Sequence, residues 1–394
     1  MSQTKFIINK KPIIKGIGNF VVTFKNVVCK EPKNLAGISH LCEHLICEPI
    51  KEIEEEMLSK GIKFNALTDS QDVLVFIEGL DENLNIYKKV LLEKLLNKIP
   101  NKDIFERERN VVLAEYDMVM SDQNTNFTYN IYRKYFNETS CLGYRANLEN
   151  LTYEKFLDFY KENFLKAHYV FNISNSKFSL SKEEISKYFT NKNVLNKLPA
   201  LKFGIYNTFK VERDIEYSNE IIKLMKPVSQ QFWEENKNKF KTLIYLDIFA
   251  SYLSSGLNSP LMKEIREALG NVYCTFASFE KTFKGDSLFS IETQTHIDNK
   301  DVVAKKMAEV FEYHLNNLNE KRFNIVKENL ISSTKEFFYK KTPKFWTIKY
   351  LHNKSFKYQE YILKEDFNFE EFKEVIERFK IIPITWEYAN SIKN

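Results

Sequence analysis

Two short runs rich in β-branched and aromatic residues, Asn19 to Lys25 and Val73 to Ile77, predict strands in the first half of the chain. Between and after them, apolar residues recur at intervals of three and four, which predicts helices near 34–47, 51–60, 82–98, 103–121 and 153–164. In the first of these, Ile38, Leu41 and Leu45 form the apolar stripe, and Pro49 is expected to close the helix. From Ser174 to Leu201 the chain turns polar with Ser, Lys and Asn, and a strand pattern restarts over Glu212 to Lys226. This change places a boundary near 200–215 and two domains at 1–205 and 206–394. The second half repeats the recipe, with a helix over Thr242 to Ser254 and another capped by Ser259, which has Pro260 at its first position and Gly270 after its end. A strand follows over Val272 to Phe279. No glycine-rich phosphate loop interrupts either half.

Chemistry enters on the helical faces. His40 and His44 are four residues apart, so on a helix they point the same way and can hold one metal ion, with Glu43 beside them. On the helix predicted over 103–121, Phe105, Glu108, Val112, Glu115 and Val119 share a face. Two carboxylates on an otherwise apolar face are costly to bury without a positive partner, and a zinc ion beside Glu115 would supply one. Glu108, about 10.5 Å along the helix axis from Glu115, could orient a histidine. Cys42 points away from His40 on the helix and is assigned to packing.

Taken together these residues resemble the pitrilysin and insulysin family of zinc peptidases and their relatives, the mitochondrial processing peptidases. The family carries His-x-x-Glu-His, then a glutamate ligand some seventy residues on, with an acidic residue seven before it. Here Glu115 follows His44 by 71 residues and Glu108 precedes Glu115 by seven. Gly61-Ile62-Lys63-Phe64-Asn65-Ala66-Leu67-Thr68 is similar to the family's Gly-x-x-x-Asn-Ala-x-Thr strand, and Ser259-Pro260-Leu261 with Ile265-Arg266-Glu267-x-Leu269-Gly270-x-x-Tyr273 to its second-domain signature. The loop Cys29 to Leu35 departs from the usual Gly-Ser-Arg-x-Glu, and 47–50 from Phe-Lys-Gly-Thr, differences expected to change loop shape near the site more than metal binding.

The resemblance implies an α+β fold of two similar α/β-sandwich domains, each a mainly antiparallel sheet with helices on one face, forming one half-shell of a peptidase chamber. It implies one Zn²⁺ per chain on His40, His44 and Glu115, Glu43 as general base, and Glu108 behind the ligands. Asn65, Ala66 and Thr68 would line the strand on which a peptide substrate lies, and Arg266 and Tyr273 would add donors to the reacting carbonyl. The expected activity is a metalloendopeptidase working on unfolded or short polypeptides, as a homodimer or with a related subunit. The alternative is a catalytically silent subunit of the same fold.

Composition narrows the setting. Lys and Arg number 58 against 53 Asp and Glu, a net charge of +5 spread along the chain without a cluster that would suit nucleic acid. No stretch approaches eighteen uncharged apolar residues, so neither a membrane span nor an export signal is expected. Five widely spaced cysteines argue for free thiols in the cytoplasm or another reducing compartment. His168, His296, His314 and His352 lack a partner at metal spacing and are assigned structural roles.

Overall fold

The computed structural model describes residues 5–9, 16–69, 71–95, 98–136, 141–165, 168–174, 218–228, 230–236, 238–281, 287–340 and 353–389. The boundary expected near 200–215, the first residues of the strand expected from Glu212, and His352 lie outside them. The chain divides into two compact units, one of Met1–Asp122 with Glu138–Ala200, the other of Gln123–Asn137 with Leu201–Asn394.

The first unit is built on a five-stranded sheet of β1 (Lys5–Asn9), β2 (Ile17–Lys25), β3 (Lys63–Thr68), β4 (Val73–Leu80) and β5 (His168–Ser174), in the order β1-β5-β2-β4-β3. All pairings are antiparallel except β1 with β5. Alternate residues of β2 and β4, Val22, Phe24, Val73, Val75 and Ile77, face a core shared with α1 (Ile38–Lys51), α3 (Asp81–Leu95), α4 (Lys102–Ser121) and α7 (Tyr153–Asn163). Short helices α2 (Glu54–Ser59) and α6 (Arg145–Glu149) complete the layer. The strand period buries one face of the sheet and the helical stripes cover it.

Two helix ends differ from expectation. The helix expected from Asn34 begins at Ile38, because 33–35 form a tight 3₁₀ turn and Gly37 takes φ 99°, a left-handed conformation outside the helical well. Pro49 does not close α1 but lies inside it. Its missing N–H withdraws one late hydrogen bond, and the helix runs only two residues further.

The second unit carries a four-stranded antiparallel sheet, β7-β8-β6-β9, from β6 (Asn219–Val228), β7 (Val272–Lys281), β8 (Ser287–His296) and β9 (Thr385–Tyr388). One face packs on α9 (Lys239–Ser254), α10 (Lys300–Asn316), α11 (Glu320–Lys340) and α13 (Phe369–Lys380), around Leu224, Phe249, Phe289, Phe311, Phe372 and Phe379. Helices α8 (Gln230–Glu235) and α12 (Asn353–Lys364) belong to the same unit. On the sheet's other face α5 (Gln123–Phe136) inserts Phe127 and Ile131 among Ile221, Met225 and Leu288. The stretch expected to be a helix after Ser259 contains a π-helical turn, Met262–Glu267. Each unit is thus a mainly antiparallel sheet with helices against it, the α+β class with two similar halves.

Candidate metal centre

The candidate metal site starts at the entry to α1. Its N-cap, Gly37, has no side chain to satisfy the orphan amides of the first turn. Glu31, on the far side of the 3₁₀ turn, does so instead: Oε2 accepts from Gly37 N–H at 3.0 Å and Oε1 from Ser39 N–H at 2.7 Å. Burial pushes the Glu31 carboxyl up to about 7, against the two amides that stabilise its charge. Gly37 and Gly143 are required here by contact as well as by φ. A Cβ on Gly37 would stand 2.6 Å from Leu142 O, and one on Gly143 2.0 Å from Ala36 O. Asn147 Nδ2 ties the same loop through Lys33 O at 2.9 Å.

One turn into α1, His40 and His44 present their rings edge to face with centroids 4.9 Å apart. Glu115, from the middle of α4, places Oε2 3.6 Å from His40 Nε2 and 3.4 Å from His44 Nε2. Burial, with His44 adding, lowers the His40 imidazole to about 4, so it is neutral near pH 7 and its contact with Glu115 is not an ion pair. Both separations exceed an ordinary N–H···O bond. They fit a shared ion: ligands bonded at about 2.1 Å in tetrahedral array stand about 3.4 Å apart. Among the described residues this trio, with donor atoms all within 4.8 Å of one another, is the one cluster able to hold a metal.

The second nitrogen of His44 has a partner of its own. Nδ1 lies 3.3 Å from Glu108 Oε2, an oxygen placed to accept its proton, and the tautomer with hydrogen on Nδ1 leaves the Nε2 lone pair available to a metal. Glu108 is buried, and Arg107 Nε donates to its other oxygen at 3.1 Å, with Lys51 Nζ at 3.7 Å. Arg107 and Lys51 also pair with Glu48, extending the network onto the last turn of α1. His40 Nδ1 is buried with no hydrogen-bond partner among the described residues.

Glu43 lies between the two histidines in sequence, and its Oε2 accepts from the Thr68 hydroxyl at 2.6 Å. Burial raises the Glu43 carboxyl above its ordinary value, opposed by the Thr68 bond and by His44, while Glu115 adds to the rise. Thr68 is buried at the end of β3, whereas Lys63, Asn65 and Leu67 project outward from this last strand of the sheet. Asn65 Oδ1 accepts from the Ala66 amide at 2.9 Å. Of the residues expected to touch substrate, Thr68 is therefore spent on Glu43.

Arg266 and Tyr273 belong to the second unit. The structure brings them to each other, with the guanidinium 5.5 Å from the ring centroid, and Tyr273 is 83% exposed. Arg266 sits on the π-helical turn, a deformation frequent at functional sites. His314 pairs with Glu264 on that turn at 2.8 Å, and His296 with Asp298 at 3.1 Å. Sequence reasoning did not reach Glu31, Glu48, Lys51 or Arg107. For Glu31 the available signal was an acidic residue shortly before a glycine that opens a helix.

Comparison with known proteins agrees with this layout. The family model described as insulinase, peptidase family M16, matches residues 28–147, and the one described as peptidase M16 inactive domain matches 150–330. An uncharacterized zinc protease of Rickettsia bellii is 22% identical over 69% of this chain, and a probable mitochondrial-processing peptidase subunit beta of Arabidopsis thaliana is 27% identical over 34%. These matches span 66% and 26% of the two relatives. A protease from Helicobacter pylori superposes with a TM-score of 0.74 at 17% identity, covering 96% of this chain and 95% of that one. With both halves of the family pattern in order along one chain, this protein belongs to peptidase family M16, the insulinase family.

Proposed function

We propose that the protein is a zinc-dependent endopeptidase acting on extended polypeptides. The observation that carries this reading is the convergence of His40 Nε2, His44 Nε2 and Glu115 Oε2 at ligand spacing, with Glu43 held beside them by Thr68. His40, His44 and Glu115 would hold one Zn²⁺, and the donor set of two imidazoles and a carboxylate is that of hydrolytic zinc sites. Zinc held there supplies Lewis acidity, acidifying water toward a pKa of about 7 and polarising a carbonyl. Glu43 takes a proton from the attacking water and passes it to the leaving amine nitrogen. Thr68 fixes the rotamer from which it does so. Glu108 keeps His44 in the tautomer that leaves Nε2 unprotonated, and Arg107 and Lys51 hold the other oxygen of Glu108 in place.

Substrate would add to β3 as a further strand, with Asn65 and Ala66 beside it, a mode in which main-chain bonds carry affinity and sequence matters little. Arg266 and Tyr273 are assigned to the substrate backbone or the developing oxyanion, Tyr273 being exposed enough to offer its hydroxyl. A second copy or a related subunit is the expected partner, since one relative is itself named a subunit. A silent subunit is the weaker reading, because all three ligand residues and Glu43 are present.

The test is zinc analysis with hydrolysis of a mixed peptide library, on wild type and Glu115→Gln. Wild type is expected to hold one zinc per chain and cleave; the variant, with a neutral amide in place of a ligand, is expected to lose zinc. A wild-type protein without zinc affinity, or a variant that binds zinc as well, overturns the assignment. Sedimentation of the same active sample checks the partner, and an active monomer would remove it.

A further inference from the structure

The ligand residues His40 and His44 and the acid Glu43 all ride on α1, so their aim depends on how that helix is seated. The seat is unusual. A helix beginning in solvent is held by its own N-cap side chain, but Gly37 has none, and a Cβ there would collide with Leu142 O. The two amides at the entry are taken by one carboxylate from nine residues before His40, each oxygen holding one N–H. Ser39, whose amide is so held, immediately precedes His40.

Resting on the zinc reading above, we propose that Glu31 is the positioning residue of the metal centre: its carboxylate fixes the rotation and pitch of the first turn of α1, and thereby the separation of the two histidine Nε2 atoms from Glu115. Glu31 touches neither substrate nor metal. It acts through the backbone of Gly37 and Ser39, and the close approach of Gly143 to Ala36 holds the same loop from the other side. A carboxylate is suited to the task because two parallel acceptors are needed and an N-terminal amide pair favours negative charge. Gln offers one acceptor and turns a donor toward the second amide; Ala offers none.

The experiment measures the zinc dissociation constant by competition with a chromophoric chelator in wild type, Glu31→Gln and Glu31→Ala, with far-UV circular dichroism of each metal-free protein. The expected order of affinity is wild type, Gln, Ala, with Ala weakened by about 10- to 100-fold, the range for lost support of metal ligands, and with helix content unchanged. Affinity in the Ala variant within twofold of wild type overturns the proposal and leaves the zinc reading intact. Should the Ala protein fail to fold, the Gln protein decides: unchanged affinity there, with normal circular dichroism, overturns it equally. Absence of zinc binding in wild type would sink the zinc reading first and this inference with it.

Discussion

Thr68 illustrates how a single hydroxyl changes role between sequence and structure. The strand signature places it among residues expected to meet substrate, yet it is buried and donates to Glu43 at 2.6 Å. Which way a strand residue faces follows from its period, but which helix it meets depends on a contact spanning 25 positions, and no local pattern encodes that. His40, His44, Glu108 and Glu115 were legible for the opposite reason: their relation is helical spacing within one element, and two carboxylates on an apolar face ask for a cation. Thr68→Val keeps the shape and removes the donor. We expect kcat to fall by about tenfold with zinc affinity unchanged, in line with the loss of one hydrogen bond of about 1.5 kcal/mol to a charged group, and Thr68→Ser to restore it. Equal kcat in the Val and Ser variants would show that this bond does not serve the reaction.

At the scale of elements, α1, α4, β2 and β4 were readable from periodicity and β3 only from its likeness to the family's strand, whereas the start of α1 was decided by backbone chemistry. Gly37 in the left-handed region delays α1 to Ile38, and the cap that makes this tolerable comes from Glu31, outside any i, i+3 pattern within the helix. Burial of the Glu31 carboxyl, opposed by the two amides it caps, gives the first unit a pH signature. The folded-state value of Glu31 is raised from an ordinary 4.5 to about 7, so between these values the folded chain binds the proton more readily than the unfolded one. The contribution of Glu31 to stability is therefore fully present below about pH 4.5 and is lost as pH rises through about 7. Melting temperatures of wild type and Glu31→Gln at pH 5 and pH 8 check the sign: the difference, wild type minus variant, should fall between the two. A difference that is flat or grows with pH contradicts it.

The whole molecule repeats one architecture twice, and among the described residues the cluster able to hold a metal lies in the first copy alone. The repeat was legible because strand and helix periods recur in both halves. Helix α5 was not among the expected elements, and even an amphipathic pattern there would say that one face is buried and not which sheet buries it; Phe127 and Ile131 pack on the sheet of the second unit. If the cluster in the first unit is the working centre of a peptidase, Glu43→Gln must silence it, because the substitution preserves size and ligands and removes only the capacity to accept a proton. Measured on protein carrying one zinc per chain, hydrolysis of an unfolded polypeptide is predicted to fall by about 10²- to 10⁴-fold with zinc affinity near that of wild type. Zinc-loaded Glu43→Gln that cleaves at the wild-type rate would show that Glu43 is not the base and that this cluster does not run the reaction as proposed.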